Sequence, residues 1–414
     1  MTAASQVTPE STSRRPSLLI LIVIAIALGV VCGLFFPAGL TRVFVTFNAL
    51  FGQFLGFAIP LIILGLIAPA IAELGRGAGK WLAITAGIAY LSTLIAGFMG
   101  YGASMLVLPR VLPSDPPEAL TNPETSLLEP YFSLDIPALF GVTTAVVLAF
   151  VVGVALTAIK APTLMTGFVE FRALVNWMIT KIIIPLLPIY IFGIFLNMTQ
   201  GGQVATVIVT FLGVVVFVFI LTWIMLLLQF TVAGAVSGRN PIKMLGTMLP
   251  AYMTALGTSS SAATIPVTLR QAVKMGVSKP VAAFTVPLCA TIHLAGSMIK
   301  ITCFSLAVMM LFGIEIKPGL VIGFIFMLGI MMVAAPGVPG GAIMTAAGLL
   351  SSMLGFNEAQ VGLMIATYIA IDSFGTATNV TGDGAISAIM DKLIGKGKGQ
   401  EELTLEAEEL EVRV

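Results

Sequence analysis

Charge is what this chain lacks most. Of its 414 residues only 9% are Asp, Glu, Lys or Arg, against about 25% in soluble globular domains, so no ordinary water-facing surface can be built from it. Hydrophobic residues make up 58% and the mean hydropathy is +1.07. The composition is that of an integral membrane protein embedded in a lipid bilayer. Twenty basic against 19 acidic residues leave a net charge of +1, so no positive field exists to hold a nucleic acid. The three cysteines, Cys32, Cys289 and Cys303, lie in apolar runs without paired spacing. That pattern fits neither a disulfide framework nor a zinc site.

What the chain does have is long apolar runs. A helix crossing the hydrocarbon needs about 20 mostly apolar residues, and runs of that length cover 17–37, 43–73, 80–108, 137–160, 175–197 and 203–236. The polar, basic stretch 1–16 precedes an apolar run too long for a removable signal peptide, which reads as a retained first helix. The stretch 393–414 carries Glu401, Glu402, Glu406, Glu408, Glu409 and Glu411 and reads as a solvated cytoplasmic tail. Arg14, Arg15, Arg76, Lys80, Lys160, Arg239, Lys243 and Lys392 mark every second connection as basic. By the positive-inside rule both termini are expected in the cytoplasm.

Two apolar stretches are interrupted. Between 241 and 277 the chain breaks at Gly257-Thr258-Ser259-Ser260-Ser261, with Lys243 before it and Arg270 and Lys274 after it. Between 317 and 357 it breaks at Ala334-Ala335-Pro336-Gly337-Val338-Pro339-Gly340-Gly341, with Glu315 and Glu358 outside it. Each half is too short to span, so each stretch is expected to enter the bilayer and return, from opposite faces. Irregular backbone at that depth needs protein or water to satisfy its N–H and C=O groups, and interrupted segments at corresponding places in two halves point to a transport site. One full helix is expected after each hairpin, over about 280–312 and 359–392.

In the last helix Asp372, Thr376, Asn379 and Asp383 are spaced i, i+4, i+7 and i+11, which puts them on one face. A carboxylate at the bilayer centre costs about 2.5 to 3.5 kcal/mol, so the stripe calls for cations or a cationic ligand. His293, Ser297 and Lys300 share a face of the preceding helix at i, i+4 and i+7. The histidine reads as a hydrogen-bonded core residue or a proton relay, and the lysine as a group needing an anion or replacing a transported cation. The hydroxyls and backbone N–H groups at Thr258 to Ala262, at a helix start, suit a carboxylate. The glycines of the second tip allow close backbone approach to a ligand.

On Ser259-Ser260-Ser261 with Ile265-Pro266-Val267, on Val338-Pro339-Gly340, and above all on Asn379-Val380-Thr381-Gly382-Asp383, the second half resembles the dicarboxylate/amino acid:cation symporter family, with the glutamate-transporter fold. The inverted-repeat architecture of that family is a standard example and is inherited by the resemblance. It implies an all-α integral membrane protein of eight transmembrane helices and two re-entrant hairpins, assembled as a homotrimer in the cell's inner membrane. A scaffold (17–78 and 137–200) would hold the trimer. A transport unit (79–108 and 201–392, containing hairpin 1 at 241–277 and hairpin 2 at 317–357) would move like an elevator, and 109–136 would be an extracellular loop. Substrate contacts carry over to Ser259, Ser260, Ser261, Val338, Pro339, Gly340, Asp372, Thr376, Asn379 and Ser297. Asn379 would hold a substrate carboxylate and Asp372 its ammonium. One sodium site maps to Asp383 with carbonyls of Cys289, His293 and Asn379, and a second to carbonyls near Thr291, Leu294, Met332, Val333 and Ala335.

Departures from the family pattern set the expected cargo. Gly375 stands where members that carry acidic substrates have an arginine, Thr258 where some relatives have another, and Tyr368 where a supporting acid often sits. With Asp372 bare and no cation beside it, a second substrate carboxylate would be unfavourable. The reading is a symporter of a small neutral amino acid such as serine, threonine or alanine. The motif His293-Leu294-Ala295-Gly296-Ser297 lacks the aspartate of a third sodium site, and Ile88 and Ala89 replace polar partners in the third helix. Fewer sodium ions are therefore expected, with Lys300 or His293 as coupling candidates and a proton as an option. The alternatives are a C4-dicarboxylate or acidic amino acid symporter using Lys300 as counter-charge, an anion-leaky channel, and an intramembrane enzyme pairing Ser260 with Lys300 or His293.

Overall fold

The computed structural model describes residues 18–76, 79–112, 127–159, 161–202, 204–337 and 339–395, and every regular element among them is a helix. Val338 and nearly all of both tails lie outside the described residues. The first helices are α1 (Leu18–Gly33), α2 (Ala38–Arg76), α3 (Lys80–Val111) and α4 (Val142–Ala158). Next, α5 (Pro162–Met178) passes through a single π-turn (Ile179–Ile183) into α6 (Ile184–Gln200). That turn falls just before Pro185 and Pro188, which lack the N–H groups that regular i to i−4 bonding needs. The run expected at 175–197 therefore begins 13 residues earlier than its apolar signal, because α5 is amphipathic and carries Glu170 and Arg172.

After α7 (Val204–Ser237) come the two hairpins. The first is α8 (Pro241–Thr258) packed against α9 (Ser261–Lys274), and the second is α12 (Pro318–Ala334) packed against α13 (Gly341–Ser352). Their places match the interrupted stretches. The two full helices expected after them are each broken in the middle. One is α10 (Lys279–Ile292) and α11 (Ala295–Leu311), parted at His293 and Leu294. The other is α14 (Glu358–Ala370) and α15 (Asp372–Ile394), parted at Ile371 with a 61° bend.

Among the described residues, five helical runs are long and apolar enough to cross a membrane, or six if α14 and α15 form one bent span; α1 and α4 are shorter and apolar. The chain is multi-pass. Apolar side chains stay exposed along α1, α4 and α7, among them Val23, Val151 and Val209, as lipid-facing surface requires. The run through α10 and α11 is the opposite case: 94% of its most apolar window is buried, so its polar residues face protein and not lipid.

Helices α1, α2, α4, α5 and α6 pack on one another. The fit is close enough that a Cβ at Gly153 of α4 would lie 2.9 Å from the Ala68 carbonyl oxygen of α2. Helices α8, α9, α10 and α11 pack around α15. Helices α12, α13 and α14 lie between the two groups, where α2 touches α12 and α13 and α6 touches α14. At the second contact Gln53 Nε2 donates to Glu358 Oε1 at 3.2 Å and Tyr190 Oη donates to the Glu358 carbonyl at 3.1 Å. Beyond α3 the chain returns at Leu128, whose N–H and C=O are both bonded by the Asn197 side chain.

Candidate functional site

Every break in the second half leaves backbone groups without helical partners, and the site is built from what satisfies them. Helix α8 ends at Ser259, the one described non-glycine residue with positive φ (49°). Ser260 then caps α9, its Oγ accepting from Ala263 N at 3.3 Å. The same hydroxyl donates to the Gly337 carbonyl at 3.0 Å, so the two hairpin tips touch. A Cβ on Gly337 would lie 3.7 Å from the Ala262 Cβ. At the other end of the second tip, Gly340 caps α13 with φ 75°, a conformation that favours glycine. Its N–H donates to Asp372 Oδ2 at 2.8 Å.

The other oxygen of Asp372 is occupied as well. Lys300 Nζ lies 3.0 Å from Oδ1 and 3.4 Å from the Asp372 carbonyl oxygen. The ammonium also sits 3.7 Å from the centre of the Tyr368 ring. The Lys300 side chain is 0% exposed and that of Asp372 7%. The expectation of a bare Asp372 is thus corrected: a protein cation is seated on it. Gly375 makes this possible, because a Cβ there would lie 2.2 Å from Lys300 Cε. The missing arginine at 375 and the lysine at 300 are two sides of one packing arrangement, with positive charge delivered from α11 in place of α15.

From Tyr368 the network runs on. Its hydroxyl donates to Ser297 Oγ at 2.9 Å, which also accepts from Asn379 Nδ2 at 3.2 Å. Asn379 Oδ1 accepts from the N–H groups of Gly296 (2.7 Å) and Ser297 (3.4 Å). An amide from α15 therefore caps the start of α11 across the fold, which is why the chain can break at His293 and Leu294. Gly340, Asp372, Asn379 and Ser297, all expected in the site, belong to one continuous set of contacts with Lys300 and Tyr368, and Ser260, also expected there, joins the second tip at Gly337. Ser259 and Ser261 flank Ser260 at the tip, Pro339 precedes Gly340, and Thr376 lies buried one turn beyond Asp372.

A second group forms around Asp383, one helical turn beyond Asn379 on α15. The break turns His293 away from Ser297 and Lys300, so the shared face expected of these three does not exist. His293 Nδ1 lies 2.9 Å from Asp383 Oδ1, and His293 Nε2 lies 3.1 Å from Ser92 Oγ and 3.2 Å from Gln229 Nε2. Gln229 also donates to Ser92 Oγ at 2.9 Å. With the proton on Nδ1, the imidazole donates to Asp383 and accepts from Ser92. Asp383 Oδ2 is buried with no partner. A carboxylate oxygen left bare in an apolar interior is the kind of group a small cation satisfies.

Of the carbonyls assigned to sodium, Cys289 O accepts from His293 N (2.8 Å), Leu294 O from Met298 N (2.9 Å) and Met332 O from Ala335 N (3.3 Å). Thr291, Val333 and Ala335 line one cleft of about 340 Å³ together with Pro336, Gly337, Glu73 and Arg172. Arg172 and Glu73 form a two-pronged ion pair, both N···O distances 2.7 Å. Sequence reasoning passed over that pair, since single charges in α2 and α5 look like ordinary helix-end residues. It also passed over Gln229, although an amide inside the apolar run of α7 is a visible signal, and Ser92, which supplies the polar partner that Ile88 and Ala89 do not. The pairing of Ser260 with Lys300 or His293 is not formed: each of the three faces other partners.

Two helical hairpins whose tips meet beside a buried carboxylate are the arrangement of a membrane carrier site. Comparison with known proteins agrees. Residues 18–393 match the model of the sodium:dicarboxylate symporter family, and the chain belongs to that family. It is similar to the serine/threonine transporter SstT of Acinetobacter baumannii, 28% identical over 91% of this chain and 97% of the relative. It is also similar to the mouse excitatory amino acid transporter 4, 31% identical over 42% of this chain, and to the human excitatory amino acid transporter 1, 32% identical over 47%. The chain spans only 30% and 34% of the length of those two proteins.

Proposed function

We propose that this protein is a sodium-coupled symporter that takes a small carboxylate-bearing solute into the cell. The observation that carries the reading is that the first tip (Ser260) is bonded to the second at Gly337, and the second is bonded to Asp372 through Gly340. A cargo held between the tips would sit among the N-termini of α9 and α13, where backbone N–H groups and helix dipoles favour an anion. Asp383, with one unpartnered oxygen, would take a sodium ion in concert with nearby carbonyls. The family and the amino acid relatives support cation coupling and a cargo of this size.

A small neutral amino acid was the cargo expected from a bare Asp372. With Lys300 on that carboxylate, a cargo ammonium meets a filled partner, so the geometric argument for that cargo no longer holds and its support is the similarity to amino acid transporters. The packing of α1, α2, α4, α5 and α6 apart from α8 to α11 and α15 suits a fixed scaffold and a sliding unit, and the trimer implied by the resemblance goes with it. On the positive-inside orientation, Glu73 and Arg172 stand near the cytoplasmic end of the scaffold. The second tip shares their cleft, which fits the inward position of the slide.

Uptake into liposomes under an inward sodium gradient tests the reading. Accumulation of a small carboxylate above its outside concentration, abolished when an ionophore collapses the gradient, is expected. Flux that only equilibrates would refute active symport and leave a channel.

A further inference from the structure

Lys300 is placed as a cargo amine would be, but it is part of the chain. We propose that it is a tethered ammonium that fills the amine position on Asp372, so that the site selects small carboxylates with no amine on the α-carbon, such as 2-hydroxy acids. This rests on the carrier reading above and narrows its cargo.

Three observations carry it. First, both oxygens of Asp372 are engaged and its charge is compensated: Oδ1 takes Lys300 Nζ at 3.0 Å and Oδ2 takes Gly340 N at 2.8 Å. An incoming ammonium would find that charge already neutralised and would stand as a second cation beside Lys300 unless it displaced it, and displacing Gly340 would loosen the second tip from Asp372. Second, Lys300 has no other carboxylate partner among the described residues. The only other carboxylate on this stretch of α15, Asp383, is bonded by His293 on one side and lies beyond Asn379, whose amide is committed to α11. Displacing Lys300 would leave a charge that is 0% exposed without a counter-ion, a penalty that converts to roughly a hundredfold or more in affinity. Third, the ammonium is held from several sides, by the Tyr368 ring at 3.7 Å, by the Asp372 carbonyl, and by a stem laid across Gly375 so closely that any side chain there would collide with it. The position is built for the lysine.

A hydroxyl in place of the amine avoids the conflict. It carries no charge, and it can donate to or accept from neighbouring polar groups such as Ser297 without displacing Lys300. The cargo carboxylate keeps the donors of the two tips.

The test uses pairs of compounds that differ only in that group: alanine and lactate, serine and glycerate, aspartate and malate. Each is offered to the full chain in liposomes under a sodium gradient. In whichever pair is carried, the hydroxy acid is expected to be preferred about a hundredfold. Lys300→Met should reverse that preference or erase it, and free methylammonium should restore hydroxy acid uptake to the variant by filling the vacated position. Preference for the amino acid by the unaltered protein overturns the inference while leaving the symporter reading intact, and it does so even if the variant fails to fold. A folded Lys300→Met protein with unchanged selectivity also overturns it. Sodium-dependent uptake of no compound in any pair would sink the carrier reading itself, and this inference with it.

Discussion

Lys300 shows how far one residue can redirect an otherwise familiar arrangement. A buried ion pair is weak support for stability, because the cost of desolvating two charges offsets their attraction, yet removing one partner is strongly unfavourable. Asp372→Asn should therefore destabilise the protein by about 3 to 5 kcal/mol through the stranded ammonium, read as a lower melting temperature in detergent. Asp372→Asn combined with Lys300→Met should recover most of that loss. Gly375 is the second half of the arrangement. Gly375→Ala places a methyl group 2.2 Å from Lys300 Cε, and overpacking of this kind costs about 1 to 3 kcal/mol, measurable by the same thermal assay. Asp383 is the contrasting acid, with one oxygen on His293 and the other bare. Asp383→Asn should raise the half-saturating sodium concentration of uptake by about tenfold or more, since losing one charge contact worth 1.4 kcal/mol has that effect. An unchanged sodium titration would remove Asp383 from the ion path.

The elements are legible in the sequence to different degrees, for physical reasons. The hairpins are plain because Gly, Ser and Pro interrupt apolar runs whose halves cannot cross the bilayer. The break at His293 and Leu294 is not, because nothing local forces it: the N–H groups it frees are capped by Asn379, 82 residues or more away in sequence. The bend at Ile371 is hidden the same way, since Gly340 and Lys300 meet the acid at the start of α15 from distant parts of the chain. Helix α5 is missed for the opposite reason, being polar enough to break the apolar signal while packing against α2. The carboxylates of the site were readable from their spacing, but which cation faces which acid was not, because a helical face gives direction along one helix and says nothing of what crosses it. At this scale the contact between the tips makes a direct prediction. Ala262→Cys with Gly337→Cys brings two Cβ atoms to 3.7 Å, within disulfide range. Oxidation should stop uptake by closing the tips, and a reductant should restore it. Free passage in the oxidised form would mean that the tips do not gate.

For the whole molecule, buried charge fixes how many ions must travel. Lys300 cancels Asp372, and with His293 as a neutral donor Asp383 is the uncompensated buried carboxylate among the described residues. Charge left bare in the hydrocarbon is expensive, so a neutral cargo needs one cation and each negative charge on the cargo needs one more. Reversal potentials measured at several sodium gradients would give the ratio, and a value independent of cargo charge would contradict this account.

Glu358 adds a limit of another kind. It grips Gln53 and Tyr190 of the neighbouring group of helices, and if the two groups slide past one another as proposed, those partners can be reached from only one point of the path. Each departure breaks two hydrogen bonds, at about 0.5 to 1.5 kcal/mol apiece. The carrier would then dwell longer at that end of its stroke, and the tempo of its cycle would be set partly by a handhold some distance from anything it carries.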